Sequence, residues 1–193
     1  MELWKRPIFL VFVVFSFINF EVESRTFIHL EGSYGYFSQK PAKEFNLYPA
    51  GISYGAIIEN KFRYFMLGLF YQKSSYSGEI ISDNETIVMT QEMTAYGLSA
   101  RLDIGRRYFI SSGIGMADLA QSIPSTIDSE RSTAISSFYQ LSEEDSSFFV
   151  EFGVGYKFYK HRVYSGYVRL NRRIYSSFDA SEMNLILGLG MRF

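Results

Sequence analysis

Residues 184–193 (N-L-I-L-G-L-G-M-R-F) constrain the fold more than any other stretch. Leu185, Leu187, Leu189, Met191 and Phe193 share one parity, and Asn184, Ile186, Gly188, Gly190 and Arg192 share the other. Side chains of a strand alternate between two faces, so this segment is a strand with one greasy face and one small or polar face. The same alternation recurs along the chain. It predicts strands over 26–38, 47–59, 62–73, 90–104, 108–118, 148–158 and 163–175, with 184–193 as the eighth. The sixth is the cleanest: Phe148, Val150, Phe152, Val154, Tyr156 and Phe158 alternate with Phe149, Glu151, Gly153, Gly155 and Lys157. No segment outside the longest connection needs an amphipathic helix, which excludes architectures built from alternating strands and helices.

The connections alternate as well. Short turns are predicted at 59–61, 105–107 and 160–162, and longer polar connections at 39–44, 74–89, 119–147 and 176–183. The short turns then fall at one end of the sheet with both ends of the chain. Short turns on one side and long loops on the other are the habit of membrane barrels. Alternation alone also allows a soluble lipocalin-like barrel or a sandwich, with the greasy face turned inward. The polar face discriminates. It mixes glycines (35, 55, 68, 97, 113, 115, 153, 155, 188 and 190) with long charged residues. A narrow lumen needs some positions to shrink so that others fit, whereas a water-facing surface avoids this much glycine.

The first residues read as a secretory signal. Lys5 and Arg6 precede an apolar run over 8–20, and Val22-Glu23-Ser24 offers a cleavage site before Arg25. The other reading, a helical membrane anchor, would need about 20 apolar residues, more than this run supplies. The domains expected are therefore a signal peptide over 1–24 and a barrel over 25–193. The chain has no cysteine, so no disulfide framework holds it. A net charge of −1 argues against a nucleic-acid partner. Aromatics are 18% of the residues and fifteen of them are tyrosines, which favour membrane–water interfaces. Tyr34, Tyr36, Tyr71, Tyr96 and Phe148 are expected at one rim. Phe65, Tyr108, Tyr156, Phe158, Tyr164 and Phe193 are expected at the other.

Placed by depth, Glu31, Arg101, Glu151 and Arg169 fall in the middle of the lumen, Asp103, Lys157 and Arg192 lower, and Arg173 near the top. Isolated charges there would be costly, so Arg–carboxylate pairs with bidentate hydrogen bonds are expected. The candidate network is Glu31, Arg101, Asp103, Glu151, Arg169 and Arg192. It can serve as a structural plug, the favoured reading, or as a gated path. Catalytic signals are poor. His29 and His161 both fall at the end with the short turns, and no metal or cofactor spacing is present.

The signal, the eight alternating strands, the loop asymmetry and the final Phe193 together resemble the small eight-stranded bacterial outer-membrane β-barrels. These are the OmpA transmembrane domain, the OmpX/Ail group, the opacity adhesins and OmpW. The resemblance implies an all-β, antiparallel, up-and-down transmembrane barrel in the outer membrane, expected to be a monomer. Barrel lipases and acyltransferases are of similar size, but they need a serine–histidine–acid set near the outer rim, and with no histidine there an enzyme is not expected. Phe193 would then be the signal read by the barrel assembly machinery, and outer-membrane lipids would surround the wall. The function implied is a role in envelope structure or surface interaction, with an extracellular or host ligand met by the loops; Ile123, Ile127, Ile135, Phe138, Tyr139 and Leu141 in the longest are either candidate anchors or, more plainly, extensions of the fifth and sixth strands above the membrane. The alternative is a narrow channel for small or apolar solutes.

Overall fold

The computed structural model describes residues 25–39, 50–62, 65–82, 85–122, 144–176 and 180–193. Eight strands follow in chain order: β1 (Arg25–Gln39), β2 (Ala50–Phe62), β3 (Phe65–Ser82), β4 (Glu85–Ile104), β5 (Tyr108–Ser122), β6 (Glu144–Lys160), β7 (Tyr164–Tyr175) and β8 (Ala180–Arg192). Each pairs antiparallel with the next, and β8 returns to β1. The result is a closed up-and-down barrel with no free edge, which is what a sheet in hydrocarbon requires. The strands run from 12 to 20 residues, longer than the ~9–11 needed to cross a bilayer.

The faces divide as the alternation predicts. Phe152, Val154, Leu187 and Leu189 are each more than half exposed, whereas Glu151 and Arg169 are buried. Oil is on the outside and charge is within, so the inward-packed soluble arrangements are excluded. The tyrosine and phenylalanine rims are also on the exterior: Tyr34, Tyr36, Tyr71 and Phe148 toward one end, and Phe65, Tyr108, Phe158, Tyr164 and Phe193 toward the other.

Several boundaries differ from the sequence reading. Residues 59–61 form no turn. They belong to β2 and pair with both β1 and β3. Glu59 is buried inside, so a charged cluster that looked like a turn is wall and lumen. Residues 74–89 are not one long loop. β3 continues to Ser82 and β4 begins at Glu85, with those two residues paired. Where the outer face turns polar, as at the exposed Ser75 and Ser77, the apolar periodicity stops while the backbone ladder continues. β8 begins at Ala180, inside the predicted loop 176–183. The turn at 105–107 stands, with Gly105 at φ 66°, a left-handed conformation natural to glycine. The reversal after β6 is closed by His161 N–H donating to the Tyr164 carbonyl at 2.8 Å. Residues 1–24, the 40–49 connection and 123–143 of the longest loop, including its six proposed anchors, lie outside the described residues.

Arg25 and Phe193 share one end of the barrel with the 105–107 turn; this is called the terminal end below. The opposite end is the loop end.

Candidate functional site in the barrel lumen

An eight-stranded barrel is just wide enough for its inward side chains to fill it. Here they stack in layers. At the terminal end, Asp103 on β4 accepts a hydrogen bond from Lys157 Nζ and lies 3.7 Å from Lys61 Nζ. The next layer centres on Glu59. Arg101 Nη2 approaches it at 2.9 Å and His29 Nε2 at 3.2 Å. The Arg101 guanidinium also lies 5.1 Å from the Phe109 ring centre and 5.5 Å from that of Tyr167, so its faces meet π electrons while its edge meets the carboxylate.

Glu31 forms the third layer. Arg169 Nη2 donates to both of its oxygens, at 3.1 and 3.0 Å, and the Tyr167 hydroxyl donates to one of them. In the fourth, Glu151 Oε2 accepts from Arg173 Nη2 at 2.8 Å, Arg173 Nε at 3.2 Å and Asn171 Nδ2 at 3.1 Å. Its other oxygen lies 3.8 Å from Arg169 Nη1, which links the two layers. Arg173 then bridges upward, donating from Nη1 to Glu182 Oε2 at 3.1 Å. Glu182 also accepts from the hydroxyls of Tyr175, at 2.6 Å, and Tyr76, and from the Asn184 amide.

Above these layers, toward the loop end, the lumen turns apolar. Phe37, Phe149, Met93, Ala95, Ala117 and Leu119 cluster with Tyr76 and Tyr175, nearly all without exposure. The rings interlock: Phe37 with Tyr76 at 5.6 Å between centres, Phe37 with Tyr175 at 5.8 Å, and Phe149 with Tyr175 at 5.8 Å. Arg173 lies against this cap, 4.4 Å from the centre of Phe149. The arrangement is a ladder of compensated charge closed at one end by an aromatic lid. Glycine makes the space: the Tyr167 ring lies where a Cβ at Gly188 would stand, and the Phe109 ring does the same at Gly155.

Of the six network residues named from sequence, Glu31, Arg101, Asp103, Glu151 and Arg169 engage ion pairs inside the barrel. Arg192 does not join them; it is half-buried at the terminal mouth with no carboxylate partner among the described residues. The expected bidentate fork–fork geometry is not made by Arg169 or Arg173 with these carboxylates: Arg169 uses one nitrogen for two oxygens of Glu31, and Arg173 two nitrogens for one oxygen of Glu151. Sequence reasoning missed Glu59 and Glu182 because they were assigned to a turn and a loop. It also missed the aromatic cap. The available signal was parity: Phe37, Tyr76, Phe149, Tyr167 and Tyr175 all fall on the polar-face parity of their strands. Among the described residues no group of three or more His, Cys, Asp or Glu is placed to hold a metal.

A closed antiparallel wall of eight strands is the fold of the small outer-membrane β-barrels. Three solved structures share it. Neisserial surface protein A is 10% identical, with 87% of this chain and 97% of that one covered and a TM-score of 0.55. Ail, the attachment invasion locus protein of Yersinia pestis, in complex with the heparin analogue sucrose octasulfate, is 14% identical, with 89% and 100% covered and a TM-score of 0.51. A major outer membrane protein from Thermus thermophilus is 10% identical, with 87% and 99% covered and a TM-score of 0.50. At such identities the likeness is one of fold. No protein-family model and no curated protein matches the sequence.

Proposed function

We propose that the protein is a resident of the bacterial outer membrane that acts as a closed structural and surface-interaction barrel rather than as a pore. The terminal end would face the periplasm and the loop end the exterior. The observation that carries the reading is the aromatic cap over the ion-pair ladder. Phe37 and Phe149 are fully buried within the lumen, and no water column coexists with side chains packed in this way. Lipid is the partner of the outer wall. A groove of about 630 Å³ lined by Leu102, Ile110, Phe152, Val154 and Leu170 gives acyl chains a seat, and Arg172 at its edge offers a headgroup a cation. Phe193, two-thirds exposed on the terminal rim, suits recognition by an assembly machinery.

The β3–β4 hairpin supplies the surface for interaction. The exterior aromatics of β3 stop at Tyr71, and the ladder continues to Ser82. At ~3.3 Å per residue and a ~40° tilt, the tip stands about 25 Å beyond the aromatic rim. Ail is in complex with an anionic heparin analogue, whereas here the described carboxylate exposed on the hairpin is Glu92 on β4, which disfavours a polyanion there. Planar-bilayer recording tests the closed lumen: the purified barrel should insert without steady conductance, and an ohmic current would instead favour the narrow channel. Protease shaving of intact cells should cut within the loop-end segments and leave the wall.

A further inference from the structure

We propose that the terminal mouth of the barrel is an anion site for a phosphate-bearing ligand. A cavity of about 150 Å³ opens there, with room for a phosphate or pyrophosphate group. Seven Lys or Arg side chains and His161 line it, against one carboxylate, Asp103. That carboxylate is already shared by Lys157 and Lys61, and Arg101 on the cavity floor is held by Glu59. Of the other four, Arg25 has interactions of its own, and Lys160, Arg162 and Arg192 have no carboxylate partner among the described residues.

The positive charge is therefore in excess on several sides of one small space. Like charges around one opening repel, most at the half-buried Arg192 and less at the exposed Lys160 and Arg162, which solvent screens. An anion relieves the repulsion. Guanidinium groups match the geometry of phosphate oxygens, and two of the three uncompensated cations are arginines. Ser165 also lines the cavity, with its Oγ buried in the wall. The cup opens along the barrel axis, inside the ring of exterior aromatics that includes Phe158 and Tyr164. Its ligand is thus either a water-soluble phosphate or a lipid headgroup folded over the rim. The chemistry is the same for both.

The test is calorimetric titration of inorganic pyrophosphate into the folded barrel in zwitterionic detergent at low salt. Saturable binding at one site is expected, and Arg162→Gln with Arg192→Gln should weaken it by about tenfold or more, the scale of lost charge-assisted contacts. Lys73→Gln, on β3 far from this mouth, should leave it unchanged. Unheated gel mobility reports that each variant is folded, and the two single substitutions stand in if the double variant fails to fold. Phosphatidylglycerol doped into the micelles separates the sources: competition supports a headgroup at this site, and saturable binding without competition supports a soluble phosphate there. Absence of saturable binding, or equal affinity in the folded double variant, overturns the proposal.

Discussion

Arg169 on β7 reaches past β8 to grip Glu31 on β1, with one nitrogen 3.0 and 3.1 Å from the two carboxylate oxygens. The strand between them presents Gly188 at that level, in register with Glu31 on one side and Tyr167 on the other. A missing side chain on β8 therefore lets β7 and β1 meet across the lumen. The contact joins the last and first parts of the barrel, so it can form only when the barrel closes.

Removing one member of this pair leaves the other charge buried alone. Arg169→Leu is expected to cost about 3–5 kcal/mol. Adding Glu31→Gln to the same chain should recover part of that loss, because the stranded carboxylate is gone. Urea unfolding in lipid vesicles, followed by gel mobility, measures both. Additive losses in the double variant would show that the two residues do not interact.

Gly188 gives a second expectation. The Tyr167 ring occupies the space that a Cβ there would take. Gly188→Ala should destabilise the barrel by about 1–3 kcal/mol through overpacking. Tyr167→Leu in the same chain should lower that penalty. Equal penalties with and without the ring would mean that the ring is not the obstacle.

The extent of the bilayer can be read by charge scanning along the exterior. Val154→Arg, in the apolar band of β6, is expected to cost about 2–4 kcal/mol. Ser77→Arg, exposed on the projecting hairpin, should fall within about 0.5 kcal/mol of the parent. Similar costs at both positions would place Ser77 in the lipid and shorten the proposed projection.

Period-two hydrophobicity made the wall legible because lipid reads only one face of each strand. Where lipid ends, that signal ends too. Ser75 and Ser77 continue β3 with water on their outer side, so the sequence looks like loop while the ladder runs to Ser82. The lumen was legible as a set of charges but not as a set of partners. Glu59 beside Asn60 and Lys61 reads like a turn until Arg101, brought in across β3, supplies its counter-charge. Glu182 reads like loop until Arg173, Tyr76 and Tyr175 converge on it. Barrel closure and shear decide those meetings, and neither is local. Parity placed Phe37 and Phe149 inside, but only the closed geometry brings them into one cap with Tyr175.

The central claim is that lipid touches the outer face and never the inner one. Phe152 and Phe149 lie three residues apart on β6 with opposite exposure, 57% and 0%. The native tryptophan, Trp4, precedes β1, so in a chain expressed from Arg25 onward a Phe→Trp substitution introduces a single reporter. In vesicles with brominated acyl chains, Phe152→Trp fluorescence should be strongly quenched and Phe149→Trp fluorescence left nearly intact. Equal quenching at both positions, or quenching at Phe149→Trp alone, would contradict the account.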